Sequence, residues 1–420
     1  MRHARADRLT PADVLVLLAI CLASLVGFLI GVALSPFFPV IAADLRTTVA
    51  LLGQVPAISM LAAGALGLAS GPLADHYGYR RLLLVGSLAV VVSALGTALA
   101  PTVAVLLAAA LCGAVSRAIV QPVSLAIAGT HFDGAARRRA VSWVVASVAG
   151  AGIVGVPALT SSAAAFGWRA AFLALAALAL VIALLASWAA PPDRLPDRDR
   201  LRVRAVVASY APLLRHPPTL GLLGAALLRN AGIWCVMTYL SAYLVERHGL
   251  GLQAVGWAYT GLGLGFFVGS LVVGGKIGRL PLRPVLIATT VAQAVSITGP
   301  FLLPVGLVAA LAVLGLGTLL AGVSTVAGAL LLAGESPAGQ ATTMTLNQAG
   351  FSVGIAAGSA AGGLLLALGG YPALAIGGLG FSVSGALLVW LVRPRAILVA
   401  APGVPAQGVE AAAALSPEEP

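Results

Sequence analysis

The sequence predicts an all-α membrane protein of twelve transmembrane helices arranged in two six-helix halves. Composition is the first reason, because 60% of the 420 residues are hydrophobic and only 9% are charged. The mean hydropathy of +1.04 is higher than a soluble domain of this length would show. Long apolar runs are the second reason, since a helix needs about 20 such residues to cross a bilayer. These runs are continuous rather than alternating, which argues against a transmembrane β-barrel.

Twelve apolar runs follow one another along the chain, and each is predicted to form one spanning helix. They cover residues 13–35, 49–70, 82–100, 103–128, 140–163, 169–190, 219–244, 254–275, 284–303, 305–332, 341–367 and 372–392. Gly, Ser and Pro recur inside them, which a helix in lipid tolerates where its neighbours satisfy the backbone.

The longest polar interval divides the runs six and six. We therefore predict an N-terminal six-helix half (1–190), a cytoplasmic linker (191–218), a C-terminal six-helix half (219–395) and a disordered cytoplasmic tail (396–420). Weak internal similarity between the halves is typical of transporters built from repeats.

The net charge of +11 reflects topology rather than nucleic-acid binding. With the N-terminus inside, nineteen of the 24 basic residues fall at one membrane face, and only Arg46, Arg169 and Arg247 fall at the other. This asymmetry predicts a multi-pass protein with both termini in the cytoplasm and with anionic membrane lipids as partners. The basic residues are almost all arginine, which favours a GC-rich bacterial genome and the bacterial inner (plasma) membrane.

The segment between the second and third runs reads GPLADHYGYRR over residues 71–81. It is predicted to be a short cytoplasmic turn in which Gly71 and Gly78 allow close approach, Asp75 meets a helix N-terminus or a base, and Arg80 and Arg81 stay among headgroups. The segment is similar to the signature loop G-x-L-A-D-x-x-G-x-R-R of the major facilitator superfamily. That resemblance implies a conformational latch, and we expect Asp75 to stabilise an outward-facing state.

Two further segments carry the same resemblance. Residues 150–157, GAGIVGVP, resemble the fifth-helix motif of antiporters in the sugar/arabinose-efflux-like and drug:proton antiporter branch. Gly152 and Gly155 permit close helix packing, and Pro157 is expected to make a hinge. Arg117 and Gln121 resemble the Arg-bearing motif of the fourth helix in proton-coupled exporters, although Gln121 stands where a glycine is usual.

The candidate substrate-binding or coupling residues are the polar and aromatic side chains near the middle of the runs. They are Phe28, Arg117, Gln121, Trp143, Ser147, Asn230, Trp234, Tyr239, Asn347 and Gln348. Each of them has an alternative role in an interhelical hydrogen bond or at the lipid interface. Arg117 either packs against carbonyls of the first helix or serves the aqueous pathway and proton coupling. Arg229 is expected to extend toward the cytoplasmic surface.

Acidic residues narrow the substrate class, because none except Asp75 lies well inside a run. An exporter of organic cations usually needs a carboxylate in the membrane, so a neutral, zwitterionic or anionic metabolite, sugar or drug is favoured. The resemblance implies a proton-coupled exporter that works by alternating access, expected to act as a monomer. An importer of a small metabolite and a non-transporting receptor or scaffold are the alternatives.

Enzymatic readings are disfavoured. Residues 350–354 fit the serine hydrolase pattern G-x-S-x-G, but they lie in an apolar run and the five histidines lie at run ends or in loops. Cys21, Cys112 and Cys235 lack metal-ligand spacing. The sequence therefore predicts no enzyme activity, no metal and no cofactor.

Overall fold

The computed structural model describes residues 10–191, 210–272, 281–335 and 340–392, and within these ranges the regular elements are helices without strands. Eleven segments are long and apolar enough to cross a membrane, and the last contains two helices. The spans are α1 Pro11–Asp44, α2 Val49–Gly67, α3 Tyr79–Ala98, α4 Val103–His131, α5 Arg139–Phe166, α6 Trp168–Ala189, α7 Pro217–His248, α8 Leu252–Val272, α9 Leu282–Leu302, α10 Leu307–Glu335, α11 (340–368) and α12 (371–391). The predicted twelve-helix membrane fold is confirmed.

Two glycines separate α11 from α12. The helix Gln340–Leu391 is interrupted at Gly369 (φ −146°) and Gly370 (φ +65°, ψ −159°). The φ and ψ angles of Gly370 are accessible essentially to glycine alone. The two glycines therefore let the chain reverse direction without a longer loop.

The two ends of the bundle are identified by hydrogen bonds between helix ends. At the end that carries the start of α1, called here the near end, the Asp13 carboxylate contacts His131 of α4 at 3.1 Å. At the opposite or far end, Arg169 of α6 donates to the Asp44 carboxylate at 2.7 Å and to the carbonyl of Ala98 at 3.1 Å. The predicted cytoplasmic face corresponds to the near end.

Both α1 and α7 are broken toward the far end. In α1, a 3₁₀ turn Ser35–Phe37 separates Pro11–Val32 from Phe38–Asp44. In α7, the helix Pro217–Met237 ends before Leu240–His248 begins. These breaks bring backbone carbonyls and side chains of the two helices into contact with each other.

The segment 71–81 is not the simple turn that the sequence analysis expected. Residues Ser70–Tyr77 form a short helix, which ends where the N–H of Gly78 donates to the carbonyl of Ala74. Gly78 has φ +90°, which favours glycine at this position. Arg80 donates through Nε to the Ser187 carbonyl of α6 at 2.8 Å. The Asp75 side chain lies outside the described part of the chain.

Helix α5 changes its hydrogen-bonding pattern in the middle. Residues Ala151–Gly155 form a π-helical turn, and the α-helix Val156–Phe166 follows with Pro157 in its first turn. Proline lacks an N–H, so the irregularity directly before it has a local cause. Gly152 and Gly155 both belong to this turn.

Most of the predicted linker and the whole predicted tail lie outside the described residues. Of the interval 191–218, residues 192–209 are not described, and neither are residues 393–420. The division into two halves and a disordered tail therefore stays a prediction.

Candidate functional site

A cavity of about 280 Å³ lies between α1, α2, α4 and α11. Three of these helices come from the first six and one comes from the last six. The polar side chains that line it are Ser24, Ser70, Ser116, Arg117, Gln121, Thr345, Gln348 and Ser352. The described lining residues include no carboxylate and no histidine. Arg117 is the one charged residue among them.

Arg117 lies where the packing of α1 makes room for it. Its guanidinium carbon is 5.2 Å from the centre of the Phe28 ring, within reach of a cation–π interaction. A methyl group on Gly31 would overlap the guanidinium, so glycine is what allows the side chain to lie against α1. The Nε and Nη1 atoms are buried, and no described residue accepts a hydrogen bond from them.

Two serines beside Arg117 also lack partners. The hydroxyl oxygens of Ser24 and Ser116 are buried without a hydrogen bond to any described residue. Buried polar groups are normally paired with protein or ordered water, so these hydroxyls and Arg117 leave the cavity wall with unsatisfied polar groups. Small shifts of the side chains would let a ligand that accepts hydrogen bonds satisfy them.

The candidates from the sequence separate into two groups. Phe28, Arg117, Gln121 and Gln348 line the cavity. Trp234 lies beyond it, where it lines a gap of about 10 Å³ together with Phe28 and Arg117.

The remaining candidates lie elsewhere. Trp143 is 62% exposed and Asn347 is half-buried, and neither lines the cavity. Asn230 is buried and donates to the Ala226 carbonyl of its own helix at 2.8 Å. Ser147 bonds in the same way to Val144, at 2.8 Å. Four of the candidates therefore line the cavity together. Trp143, Asn347, Asn230 and Ser147 do not line it.

Tyr239 has a different position, at the far end. Its hydroxyl donates to the Ser359 carbonyl of α11 at 2.7 Å, and the side chain is fully buried. A methyl group on Gly53 of α2 or on Gly363 of α11 would overlap the phenol or crowd it. Tyr239 therefore fills the space between the first six and the last six helices.

Two hydrogen bonds connect the same two groups of helices at this end. Gln54 of α2 donates to the Ala360 carbonyl of α11 at 3.3 Å, and Ser241 of α7 donates to the Ser35 carbonyl of α1 at 2.5 Å. We call Gln54, Tyr239 and Ser241, with the residues they contact, the far-end seal. The cavity lies on the near side of it, because its lining residues in α2 and α11 are the near-end portions of those helices.

A third contact between the two groups involves the irregular turn of α5. Thr260 of α8 donates to the Ile153 carbonyl within the π-helical turn at 3.2 Å. Gly256 of α8 lies against Thr160 and Pro157, where a methyl group would overlap the Thr160 hydroxyl. The predicted hinge is thus in direct contact with the other half of the molecule.

Arg229 does not extend to the surface as the sequence analysis expected. It is only 5% exposed, and its Nη1 donates to the Ser324 hydroxyl of α10 at 2.8 Å. The expectation was wrong because a polar partner from another helix holds the side chain inside the bundle. Arg117 is therefore not the only arginine buried among the spans.

Several residues that line the cavity were not predicted from the sequence. Ser24 precedes Phe28 by one helical turn, Ser116 adjoins Arg117, and Ser352 follows Gln348 by one turn. The helical spacing to the chosen candidates could have found them. Ser352, the residue of the hydrolase pattern, lies within the helix of α11.

Comparison with known proteins identifies the family. The model of the Major Facilitator Superfamily matches residues 17–256 and 222–416. A chloramphenicol efflux pump of Mycobacterium tuberculosis is 26% identical over 339 residues, which cover 77% of this chain and 79% of that protein. The uncharacterized MFS-type transporter YceJ of Bacillus subtilis is 25% identical over 59% of this chain, and the match spans 63% of YceJ.

A shorter match and a solved structure agree with this. The multidrug efflux pump LfrA of Mycolicibacterium smegmatis is 30% identical over 181 residues, covering 42% of this chain and 35% of LfrA. The crystal structure of a bacterial homolog of the human lysosomal transporter Spinster, inward-facing and unoccupied, shares the fold with a TM-score of 0.66. It has 16% identity over 92% of this chain and 96% of that one. The chain is a multi-pass membrane transporter, not an enzyme, and belongs to the Major Facilitator Superfamily.

Proposed function

We propose that this transporter is a proton-coupled exporter of a neutral, zwitterionic or anionic small molecule in the bacterial inner membrane. The observation that carries the proposal is the cavity lined by Arg117, whose buried guanidinium lies over the Phe28 ring, and by Ser24 and Ser116, whose hydroxyls are unpaired. A positive cavity repels organic cations and attracts ligands that carry negative charge or hydrogen-bond acceptors.

The favoured cargo is a small, uncharged aromatic molecule that bears hydroxyl or carbonyl groups. One relative is named as a chloramphenicol efflux pump, and chloramphenicol itself is such a molecule. Phe28 offers a ring for stacking, and Gln121 and Gln348 offer amides. The volume of about 280 Å³ is at the lower limit for small-molecule sites, which favours a compact cargo.

The conformation is interpreted as inward-facing. The arginine distribution favours the near end as the cytoplasmic one. The contacts between the two groups of helices described above lie at the far end or along α5 and α8, and the cavity extends toward Gly67 and Ser70 at the near end. In the outward-facing state, the far-end seal would be released and the near end would be closed, with Asp75 acting as a latch. Rocking of the two halves would thus expose the cavity alternately to each side of the membrane.

Arg117 is proposed to bind the cargo and not to carry the coupling proton. An arginine keeps its proton throughout the physiological range, so the side chain itself does not titrate.

Direct binding tests the site. Purified protein should bind radiolabelled chloramphenicol, and Arg117→Gln should weaken the binding by at least about tenfold, as expected for loss of a buried charged donor. Arg117→Lys keeps the charge and loses the planar donor fork, so it should bind with intermediate affinity. Trp143→Phe, on an exposed surface, serves as the matched control and should bind normally. Unchanged binding by folded Arg117→Gln protein would refute the assignment.

A further inference from the structure

A second buried polar cluster lies away from the cavity, among the last six helices. Arg229 of α7 donates through Nη1 to the Ser324 hydroxyl of α10 at 2.8 Å. Ser324 in turn donates to the Gln293 Oε1 of α9 at 2.6 Å. Arg229 is 5% exposed, whereas Ser324 and Gln293 are not exposed at all. The cluster is therefore enclosed by protein.

Hydrogen-bond donors outnumber acceptors in this cluster. The Arg229 Nε and the Gln293 Nε2 are buried, and neither has a partner among the described residues. The Ser324 hydroxyl links the other two side chains, because it accepts from Arg229 and donates to the Gln293 Oε1. The positive charge of Arg229 has no acidic partner in this cluster.

A small void adjoins the arginine. Its volume is about 10 Å³, close to the minimum that holds one water-sized particle. The described side chains around it include no acid, and apart from Arg229 only Thr290 is polar. Its lining includes Arg229 of α7, Thr290 of α9 and Gly328 of α10.

The cluster lies deep in the membrane, where an uncompensated positive charge is energetically unfavourable. Arg229 lies roughly three turns into α7, about 18 Å from its first residue at 1.5 Å per residue, which is near the middle of a bilayer. A guanidinium does not give up its proton at physiological pH, and a buried charge without a partner is strongly unfavourable.

We propose that this void is a binding site for a single monovalent inorganic anion, of which chloride is the physiological example. Such an ion would compensate the charge of Arg229, the one charged side chain among the described residues that line the void. A water molecule would leave the charge uncompensated. Phosphate and sulfate are too large for the void.

The location of the site predicts its role. The described residues that form the cluster and the void all belong to α7, α9, α10 and α12, so the site moves with these helices during a rocking motion. It is walled by different residues from those of the cavity around Arg117. The anion is therefore a resident ion that stabilises the last six helices, and it is not cargo.

The test is the anion dependence of thermal unfolding of the full-length protein in lipid nanodiscs. Sodium chloride is compared with sodium gluconate at equal ionic strength, and sodium bromide is included because bromide is a close size match. The wild-type protein should unfold at a higher temperature in chloride and in bromide, with a saturable concentration dependence. An unfolding temperature that is equal in chloride and gluconate would overturn the proposal.

Variants assign the effect to the site. Gly328→Ala adds a methyl group that meets Leu286 at an ordinary 3.6 Å, so the fold should tolerate it while the void is filled. Arg229→Gln removes the positive charge that would hold the anion. Both should lose most of the chloride effect, and Arg117→Gln, the control in the cavity, should retain it. An undiminished chloride effect in folded Gly328→Ala protein would mean that the anion acts elsewhere and would refute the site.

Crystallography gives a direct second measurement. Crystals soaked in bromide should show one anomalous peak within about 3.5 Å of a guanidinium nitrogen of Arg229, a distance typical of a nitrogen–halide contact. Absence of a peak there at full bromide exchange would contradict the proposal, whatever the outcome of the transport assays.

Discussion

Replacing Gly53 by alanine should push the transporter out of the conformation described here. Gly53 lies in α2 with φ −64° and ψ −17°, so its backbone accepts alanine without strain. The new methyl group would overlap the phenol of Tyr239, which is fully buried and bonded to Ser359. The Tyr239 side chain is fully buried and has little room to move, so the overlap should push α2 and α7 apart.

The size of the effect follows from overpacking. Adding a methyl group to a close-packed interior costs about 1–3 kcal/mol. Opening of the far end relieves this cost, so the penalty applies to the sealed state alone. A difference of 1–3 kcal/mol shifts a two-state equilibrium about 5- to 150-fold, here toward the state that is open at the far end.

Distances between spin labels at the far end measure this shift. Gly53→Ala protein should populate a longer distance between α1 and α7 than the wild type does. Gly67→Ala is a matched control in the same helix, because a methyl group there has nothing within 4 Å. Identical distance distributions for wild type, Gly53→Ala and Gly67→Ala would refute the reasoning about the far-end seal.

Three other substitutions test separate parts of the account. Gly31→Ala should displace the Arg117 guanidinium and weaken chloramphenicol binding to the folded protein at least about fivefold. Equilibrium binding to purified protein measures this, and normal affinity would contradict the described packing. Thr260→Val removes the hydroxyl that bonds to the Ile153 carbonyl and should lower the free energy of unfolding by about 1 kcal/mol in denaturant titrations; no loss would show that the contact is energetically neutral. Asp75→Asn should cut transport severalfold and increase thiol labelling at the near end, and full activity with unchanged labelling would remove the latch.

Hydropathy was sufficient to predict the twelve spans, because bilayer thickness imposes the same length requirement on every helix. It could not predict the short helix Ser70–Tyr77, whose polar residues carry no membrane signal. The hydropathy of such a polar segment does not distinguish a turn from a helix of two turns. The glycine pair between α11 and α12 was visible as a gap between apolar runs, and its positive φ at Gly370 explains the gap.

The cavity was only partly predictable. Arg117 was recognisable because an arginine in an apolar run is costly, and Phe28, Gln121 and Gln348 were chosen as rare side chains in their runs. Serines such as Ser24 are common in membrane helices, and only their tertiary position distinguishes a cavity residue from a packing residue.

The burial of Arg229 was not predicted from the sequence. The sequence alone favoured an extended side chain because no partner is near in the chain. Ser324 and Gln293 come from α10 and α9, so the buried network exists only after those helices pack against α7. The same limitation applies to Tyr239, which was chosen as a site candidate and lies in the far-end seal.

Transport in inside-out membrane vesicles tests the central proposal most directly. Vesicles that contain the protein should accumulate radiolabelled chloramphenicol when their interior is made acidic, since export then runs inward and the proton runs outward. Accumulation should disappear with a protonophore and in Arg117→Gln protein that is present at the normal level. Loss of chloramphenicol from the vesicles, or accumulation that does not respond to the pH gradient, would contradict proton-coupled export.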